Sequence, residues 1–437
     1  MDRVKRVVAG TWQAVQRNMR GNVAVFATIF TLGNFGRQMA FPYLSLYILA
    51  LGGRPEQIGQ VGSLAPLLGL VVFPLGGYLA DHVGRVKLVG TMMLISAAIE
   101  LIYALAPTWQ WLLLAALLMG VGSMQFPASS ALIADSTLPQ ERSRAIAIMN
   151  TISMLPAMAA PWVAGLVVDG VGVDPGVRYL YGFMALANAV SGVIALRWLR
   201  ETQPATGDGF RLTMLPRLLR DTYNDVPRLV RAMSGSVRAM LVIAVLGFAV
   251  NAIVGPFWVV YAVEEMGLSA TQWGSILLLE TVVRNLTLLP AGVLGDRLGR
   301  SRCMIASLLM LAVALPLFIV VQGYVGVLAV RLVIGVANAL FIPTSIALLA
   351  DTVPREFRGR MIAAIGQGGV MIGASSGGTG GPALGYLVTL PLMATSLVAG
   401  YIYSGGPRLP WLVSLGLVLV TLAVSLAYLR DPHQAEA

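Results

Sequence analysis

Two twelve-residue stretches decide the reading of this chain: GGYLADHVGRVK at 76–87 and AGVLGDRLGRSR at 291–302, 215 residues apart. They agree at Gly77/Gly292, Leu79/Leu294, Asp81/Asp296, Gly84/Gly299 and Arg85/Arg300. A second pair, ALIADSTLPQERSR (131–144) and ALLADTVPREFRGR (347–360), repeats at an offset of 216, and FPYLSLY (41–47) returns as GPFWVVY (255–261) at 214. Three matches, in order and at nearly one offset, mark an internal duplication. The shared Asp, Gly and Arg residues lie in polar stretches, so common apolarity does not explain them.

Around these loops the chain is mostly apolar. Of 437 residues, 57% are apolar and only 11% charged, where a soluble domain carries about 25%. The excess must face lipid. Runs of spanning length fall at 23–50, 58–80, 88–106, 111–134, 145–169, 179–199, 237–262, 272–294, 303–322, 325–350, 361–390 and 409–429. Backbone polar groups in a bilayer must be satisfied within the chain, so each run is expected as a helix. The fold class is then all-α: twelve transmembrane helices in two six-helix, pseudo-symmetric bundles. The expected bundles are 21–199 and 237–430, joined by a cytoplasmic linker at 200–236 and followed by a cytoplasmic tail at 431–437. Like orientation of two six-span halves implies a parallel repeat about the membrane normal.

Charge sets the topology. With the N-terminus inside and sides alternating, inner segments hold 24 of the 30 Lys and Arg, and outer loops hold three: Arg54, Arg178 and Arg408. Cytoplasmic loops collect Lys and Arg, so both termini are expected in the cytoplasm and the protein in the plasma membrane. The net charge of +10 is thereby topological, and no nucleic-acid partner is expected. Residues 1–20 place Val4, Val7, Val8, Thr11, Trp12, Val15 and Met19 at helical spacing among basic residues, the pattern of an interfacial helix on a lipid surface. Cys303 is the only cysteine, and His82 and His433 fall in a loop and the tail. No Cys/His metal site and no cofactor is expected.

The loop Gly77–Lys87 resembles the signature loop between the second and third helices of the major facilitator superfamily, and Gly292–Arg302 is similar to its second-half copy. The resemblance runs from span 1 to span 12. It implies a secondary transporter in which Gly77, Asp81, Arg85, Asp135, Arg142 and Arg144, with Gly292, Asp296, Arg300, Asp351, Arg358 and Arg360, latch the cytoplasmic side in one conformation. Gly77 and Gly292 would permit close packing of helices, Asp81 and Asp296 would pair with Arg85 and Arg300, and Asp135 and Asp351 with the arginines that follow them. PAMAAPWVAG (156–165) is similar to the fifth-helix motif of drug–proton antiporters, with Ala160 in place of a glycine before Pro161. Span 4 lacks the arginine of many proton-coupled members. Gly369, Gly373, Gly377, Gly381 and Gly385 recur every fourth residue, a stripe that lets helices approach closely. By resemblance, span 11 lies between the halves, where the stripe reads as a sliding interface or as plain tight packing. No lysine follows GASSGGTGG (373–381), so it is not a phosphate loop.

Charges within the spans are the best functional pointers, because lipid makes them costly. Arg37 lies about 21 Å along span 1 from its inner end. Asn251 is its equivalent 214 residues on, and Glu280 and Arg284 are spaced one turn apart in span 8. Arg37, Asn251, Glu280 and Arg284 are the expected central site, with Glu280 as proton carrier; alternatively Glu280 and Arg284 only neutralise each other. Glu100 reads as a helix-packing carboxyl, and Arg331 as a residue reaching for the outer interface. Arg37, Arg284 and Glu280 sum to +1, which favours anionic or zwitterionic substrates. Phe35, Phe41, Tyr43, Phe257 and Trp258 suit an amphipathic one. The expectation is a monomeric transporter, not an enzyme, that exports a small organic molecule, proton-coupled; uptake or exchange of an anionic metabolite is the alternative.

Overall fold

In a computed structural model of the chain, residues 20–204, 233–352, 370–375 and 385–429 are described, with 220, 231 and 431. The expected interfacial helix at 1–20, apart from Arg20, lies outside the described residues. So do most of the linker and tail, Arg358, Arg360, Gly369, Gly377 and Gly381. No strand occurs among the described residues.

Twelve helical passes follow one another. The first, α1 (22–50), is a helix, a 3-10 turn at Phe41–Tyr43 and a second helix. The second, α2 (55–83), bends by 48° between Pro55–Val72 and Leu75–Val83. Then come α3 (Arg85–Leu105), α4 (Trp109–Asp135), α5 (Arg142–Val171), α6 (Val173–Trp198) and α7 (Gly235–Glu265). The last five are α8 (Ala270–Leu298), α9 (Arg300–Phe318), α10 (Gly323–Thr352), α11 (Tyr386–Gly405) and α12 (Leu409–Tyr428). Ten of these are long and apolar enough to cross a membrane, and the bent α2 makes eleven. The twelfth, α1, has the length but carries Asn22, Asn34, Arg37 and Gln38.

The duplicated motif explains its own glycine. Gly84 and Gly299 both sit at φ +100°, a region only glycine enters freely, and each turns the chain from one span directly into the next. In α5 the helix stops at Ala157 and restarts at Ala160, because Pro161 cannot supply the backbone N–H that continuity needs.

Pairing is the same in both halves. Helix α3 packs on α6, α1 on α6, α2 on α4 and α1 on α5; in the second half α9 packs on α12, α7 on α12, α8 on α10 and α7 on α11. Each pairing is the image of the other under six-helix translation. Among the described residues the halves pack through α1 with α7, α2 with α11, and α5 with α8. Within each half the interior is mainly apolar, with Phe26 and Tyr181 fully buried in the first and Trp258, Trp273 and Trp411 in the second.

Span 11 is the correction. Expected at 361–390, it is the helix Tyr386–Gly405, and residues 370–375 are non-helical. Gly373 turns at φ +77° and Gly385 is extended as the N-cap of α11. The glycine spacing therefore does not describe one continuous helix face. Four-residue spacing is necessary for a helical stripe, and the chain breaks it where polar partners from other helices hold the backbone open.

Candidate functional site: contacts between the halves and charges within the spans

At the outer end, the end away from the basic loops, the halves meet through glycine. A Cβ on Gly59 of α2 would stand 2.6 Å from the Ser396 carbonyl oxygen, and one on Gly400 of α11 would stand 2.5 Å from that of Pro55. The α5–α8 crossing is built alike: a Cβ on Gly165 would meet Ala270 O at 2.4 Å, and one on Gly274 would meet Pro161 O at 2.2 Å. Without side chains in the way, backbones touch, which is how helices gain contact in lipid. Polar groups finish the seal. Asp169, at the outer end of α5, accepts from the backbone N–H of Ala270 (2.9 Å) and of Thr271 (2.8 Å). Ser269 accepts from Gln272 N, so the first three free donors of α8 all have partners. The buried Tyr43 hydroxyl lies 2.7 Å from Pro161 O and 3.0 Å from Ala270 O, donating between two carbonyls of opposite halves.

The inner end is different. Each signature loop ties to its own half. Arg85 Nη1 donates to Asp135 Oδ2 at 2.6 Å and to Thr202 Oγ1 at 3.1 Å, while Asp81 is 3.9 Å away. Arg300 repeats this, with Asp351 as its close partner and Asp296 at 3.9 Å. Carboxylates after the sixth and twelfth spans then cap the third and ninth: Glu201 accepts from Val86 N (3.0 Å) and Asp431 from Ser301 N (2.9 Å). The expected partner of Asp135, Arg142, instead donates to Ala134 O, and the main partner of Arg85 is Asp135 rather than Asp81. The spacing of Asp81 and Arg85 on one helical path hid the better geometry offered by the fourth span. Gly77 and Gly292 face open space, with no atom within 4 Å of a Cβ built there. They do not mediate close packing in this conformation, and no inner-end hydrogen bond between halves occurs among the described residues. Among the described residues, the hydrogen bonds from Tyr43 to Ala270 and from Ala270 and Thr271 to Asp169 join the halves at the end away from the basic loops.

At mid-depth the predicted charges separate into two kinds. Glu280 does not pair with Arg284. Its Oε2 accepts from Arg331 Nε (2.9 Å) and Nη2 (2.6 Å), and Arg331 Nη1 donates to Gly373 O at 3.0 Å. Arg331, expected to reach outward, is fully buried at 0% exposure, 4.4 Å above the Trp258 ring. Gly335 allows the contact, since a Cβ there would be 3.1 Å from Glu280 Cγ. Facing helices brought the pair together, which sequence spacing alone could not show. Asn251 is also spoken for: its amide donates to Met371 O, and its oxygen accepts from Ala374 N at 3.0 Å. Asn338, which the sequence reading missed, accepts from Ile372 N (2.7 Å) and donates to Ile372 O (2.9 Å). Asn251, Asn338 and Arg331 thus satisfy the broken backbone at 370–375, as non-helical chain at membrane depth requires.

Arg37 and Arg284 are the other kind. Both are half-buried, and among the described residues neither guanidinium makes a hydrogen bond or ion pair. Arg37 lies over the Phe41 ring at 5.2 Å. They sit on α1 and α8, two helices whose outer ends the Tyr43 hydroxyl joins. Their guanidinium groups together carry ten N–H donors, a chemistry that suits anions. Asp169 and Asn188 also escaped the sequence reading; a lone Asp or Asn in an apolar run was the available signal.

Comparison with known proteins agrees with this architecture. The sequence profile of the Major Facilitator Superfamily matches residues 26–278 and 240–437. The chain is 27% identical over 350 residues to the multidrug resistance protein MdtG of Citrobacter koseri, covering 76% of this chain and 82% of that one. By structure it is similar to the nucleoside transporter NupG (TM-score 0.66, 15% identity, 94% and 100% of the two chains). It is also similar to the human organic anion transporter MFSD10 (TM-score 0.57, 17% identity, 92% and 98%). With a duplicated twelve-helix fold, two signature loops and a profile match along its length, the chain belongs to the Major Facilitator Superfamily of membrane transporters.

Proposed function

We propose that the chain moves a small amphipathic organic molecule carrying an anionic group across the plasma membrane by alternating access, in the direction of export and driven by the proton gradient. Both termini lie in the cytoplasm and a single chain is the working unit. The observation that carries the reading is the pair Arg37 and Arg284, half-buried on α1 and α8 with no hydrogen bond or ion pair among the described residues. A charge kept at that depth is expensive unless something uses it. Asn251 and Glu280 support the wall of the site, holding the 370–375 turn and α10 in place. The name multidrug resistance protein on the MdtG relative supports export.

A second reading, uptake or exchange of an anionic metabolite, rests on the same two guanidinium groups and on the organic anion transporter among the structural neighbours. Proteoliposomes with an imposed pH gradient test both. Naphthalene-2-sulfonate, an anion at every working pH, is compared with the cationic dye ethidium. The expected result is sulfonate transport that Arg37→Ala weakens about tenfold, the scale of a charge-assisted hydrogen bond. Transport of ethidium alone overturns the anionic reading, and the direction of sulfonate movement separates export from uptake.

A further inference from the structure

Among the described residues, two glutamates, Glu100 and Glu280, are buried in the membrane interior, and they are treated differently. Glu280, 4% exposed, is bonded twice by Arg331. Glu100, 1% exposed, has no cation bonded to it. Its two carboxylate oxygens accept from one amide nitrogen, Asn188 Nδ2, at 2.7 and 2.9 Å. An ionised carboxylate stripped of water costs several kcal/mol unless paired, and one neutral amide does not replace a guanidinium. Asn188 suits either form of the acid. As placed, its N–H groups serve a carboxylate; turned over, its oxygen takes the nitrogen's place and accepts the acid proton. A half-turn of an amide exchanges nearly identical atoms, so the pocket holds the acid with or without its proton.

One positive charge acts on Glu100 from a distance. Arg37, on α1, is in electrostatic reach of it, and no hydrogen bond or ion pair joins them among the described residues. A Cβ on Gly33, one turn before Arg37, would stand 3.8 Å from the Asn188 oxygen, so α1 lies against the acid–amide pair. The other titratable groups acting on Glu100 are phenols, Tyr103 on α3 and Tyr181 on α6, stacked at 4.6 Å. Helices α2 and α4 carry their titratable groups, Glu56, Tyr78, Asp81, His82 and Asp135, towards their ends.

We propose that Glu100 is a proton-binding site whose occupancy is linked to that of Arg37. With Arg37 empty, its field favours the carboxylate. When an anion neutralises Arg37, Glu100 takes a proton, and the change moves through Asn188. Linkage is reciprocal, so a protonated Glu100 also tightens anion binding. The inference rests on the reading of Arg37 as an anion site and sharpens it: proton and anion occupy the protein together. A cycle coupled in this way carries both in one direction, so it selects the second reading, uptake, over proton-driven export.

Infrared titration of the purified full-length protein in lipid bilayers tests this without any ligand. The wild type is expected to show a protonated carboxylic-acid band that Glu100→Gln removes and Asn188→Ala shifts in frequency. Arg37→Gln imitates a neutralised arginine. It is expected to keep the band to a proton concentration about tenfold lower, the smaller end of the effect of a nearby charge. A band missing at every pH where the protein is folded overturns the proton site, and a midpoint unmoved by Arg37→Gln overturns the linkage. Naphthalene-2-sulfonate then supplies the separate arm. Net proton uptake on its binding is expected, and absent in Glu100→Gln. Binding without proton uptake defeats the inference and leaves the anion reading standing. A wild type that shows the titrating band but binds no sulfonate defeats the anion reading, and with it the linkage, and leaves the proton site standing.

Discussion

The carboxylate of Asp169, on the fifth helix, receives the first two backbone N–H groups of the helix that begins at Ala270 in the opposite half. A helix N-terminus carries a partial positive charge, and an acid placed on it at an exposed site stabilises by up to about 1 kcal/mol. That energy exists only while α5 and α8 touch. It biases the closed outer end against the open one without contributing to either half alone.

Asp169→Ala is therefore expected to lower the outer-closed population by roughly fivefold, the equivalent of about 1 kcal/mol. Electron-resonance distances between labels at the exposed residues Val171 and Glu265 report it directly. A distance distribution identical to the unaltered protein would remove Asp169 from the gate.

The glycines at the same crossing make a stronger demand. Gly274→Val would force a side chain against the Pro161 carbonyl, where even a Cβ comes to 2.2 Å. Backbone cannot yield as a flexible side chain can. The variant is expected to insert and fold within each half, yet to keep its outer end open and to lose transport. Full transport by Gly274→Val would show that the protein works without this close crossing.

Gly77→Val and Gly292→Val should behave in the opposite way. Both positions face open space in this conformation, so thermal stability of the outer-closed form is expected to stay within about 0.5 kcal/mol. If the inner end closes onto these glycines, transport falls while the outer-end label distance remains short. Unchanged transport would assign them no part in closing.

The pair Glu280 and Arg331 is buried on both sides. Removing one partner leaves a charge without water or counter-ion, so Glu280→Gln or Arg331→Met should each cost about 3 kcal/mol. Replacing both with apolar residues should recover part of the loss. Thermal unfolding of the single and double variants measures it, and additive losses would contradict the pairing.

Much of the scaffold was legible because lipid leaves few choices. Continuous apolar runs gave eleven of the twelve passes nearly in place, and the repeated Asp–Gly–Arg loops gave the two halves and their equivalence. The eleventh pass was displaced. The run 361–390 is as apolar as its neighbours, and only Asn251, Asn338 and Arg331, all on other helices, reveal that its middle does not continue as helix. The site was legible in its members and not in its pairings. Arg37 and Arg284 stood out as intramembrane cations, but the partner of Glu280 lies 51 residues away on a facing helix, beyond any local spacing rule. Asn188 gave too weak a signal by itself, since one Asn in an apolar run is as often packing as chemistry.

The turn at 370–375 bears on how the protein is made. Asn251, Asn338 and Arg331, the described side chains that satisfy its backbone, precede it in the chain. Synthesis runs from the N-terminus, so α7 and α10 have left the ribosome before the turn emerges. A segment that a bilayer would reject alone thus meets its partners on arrival, and the order of the genes' codons doubles as an order of assembly.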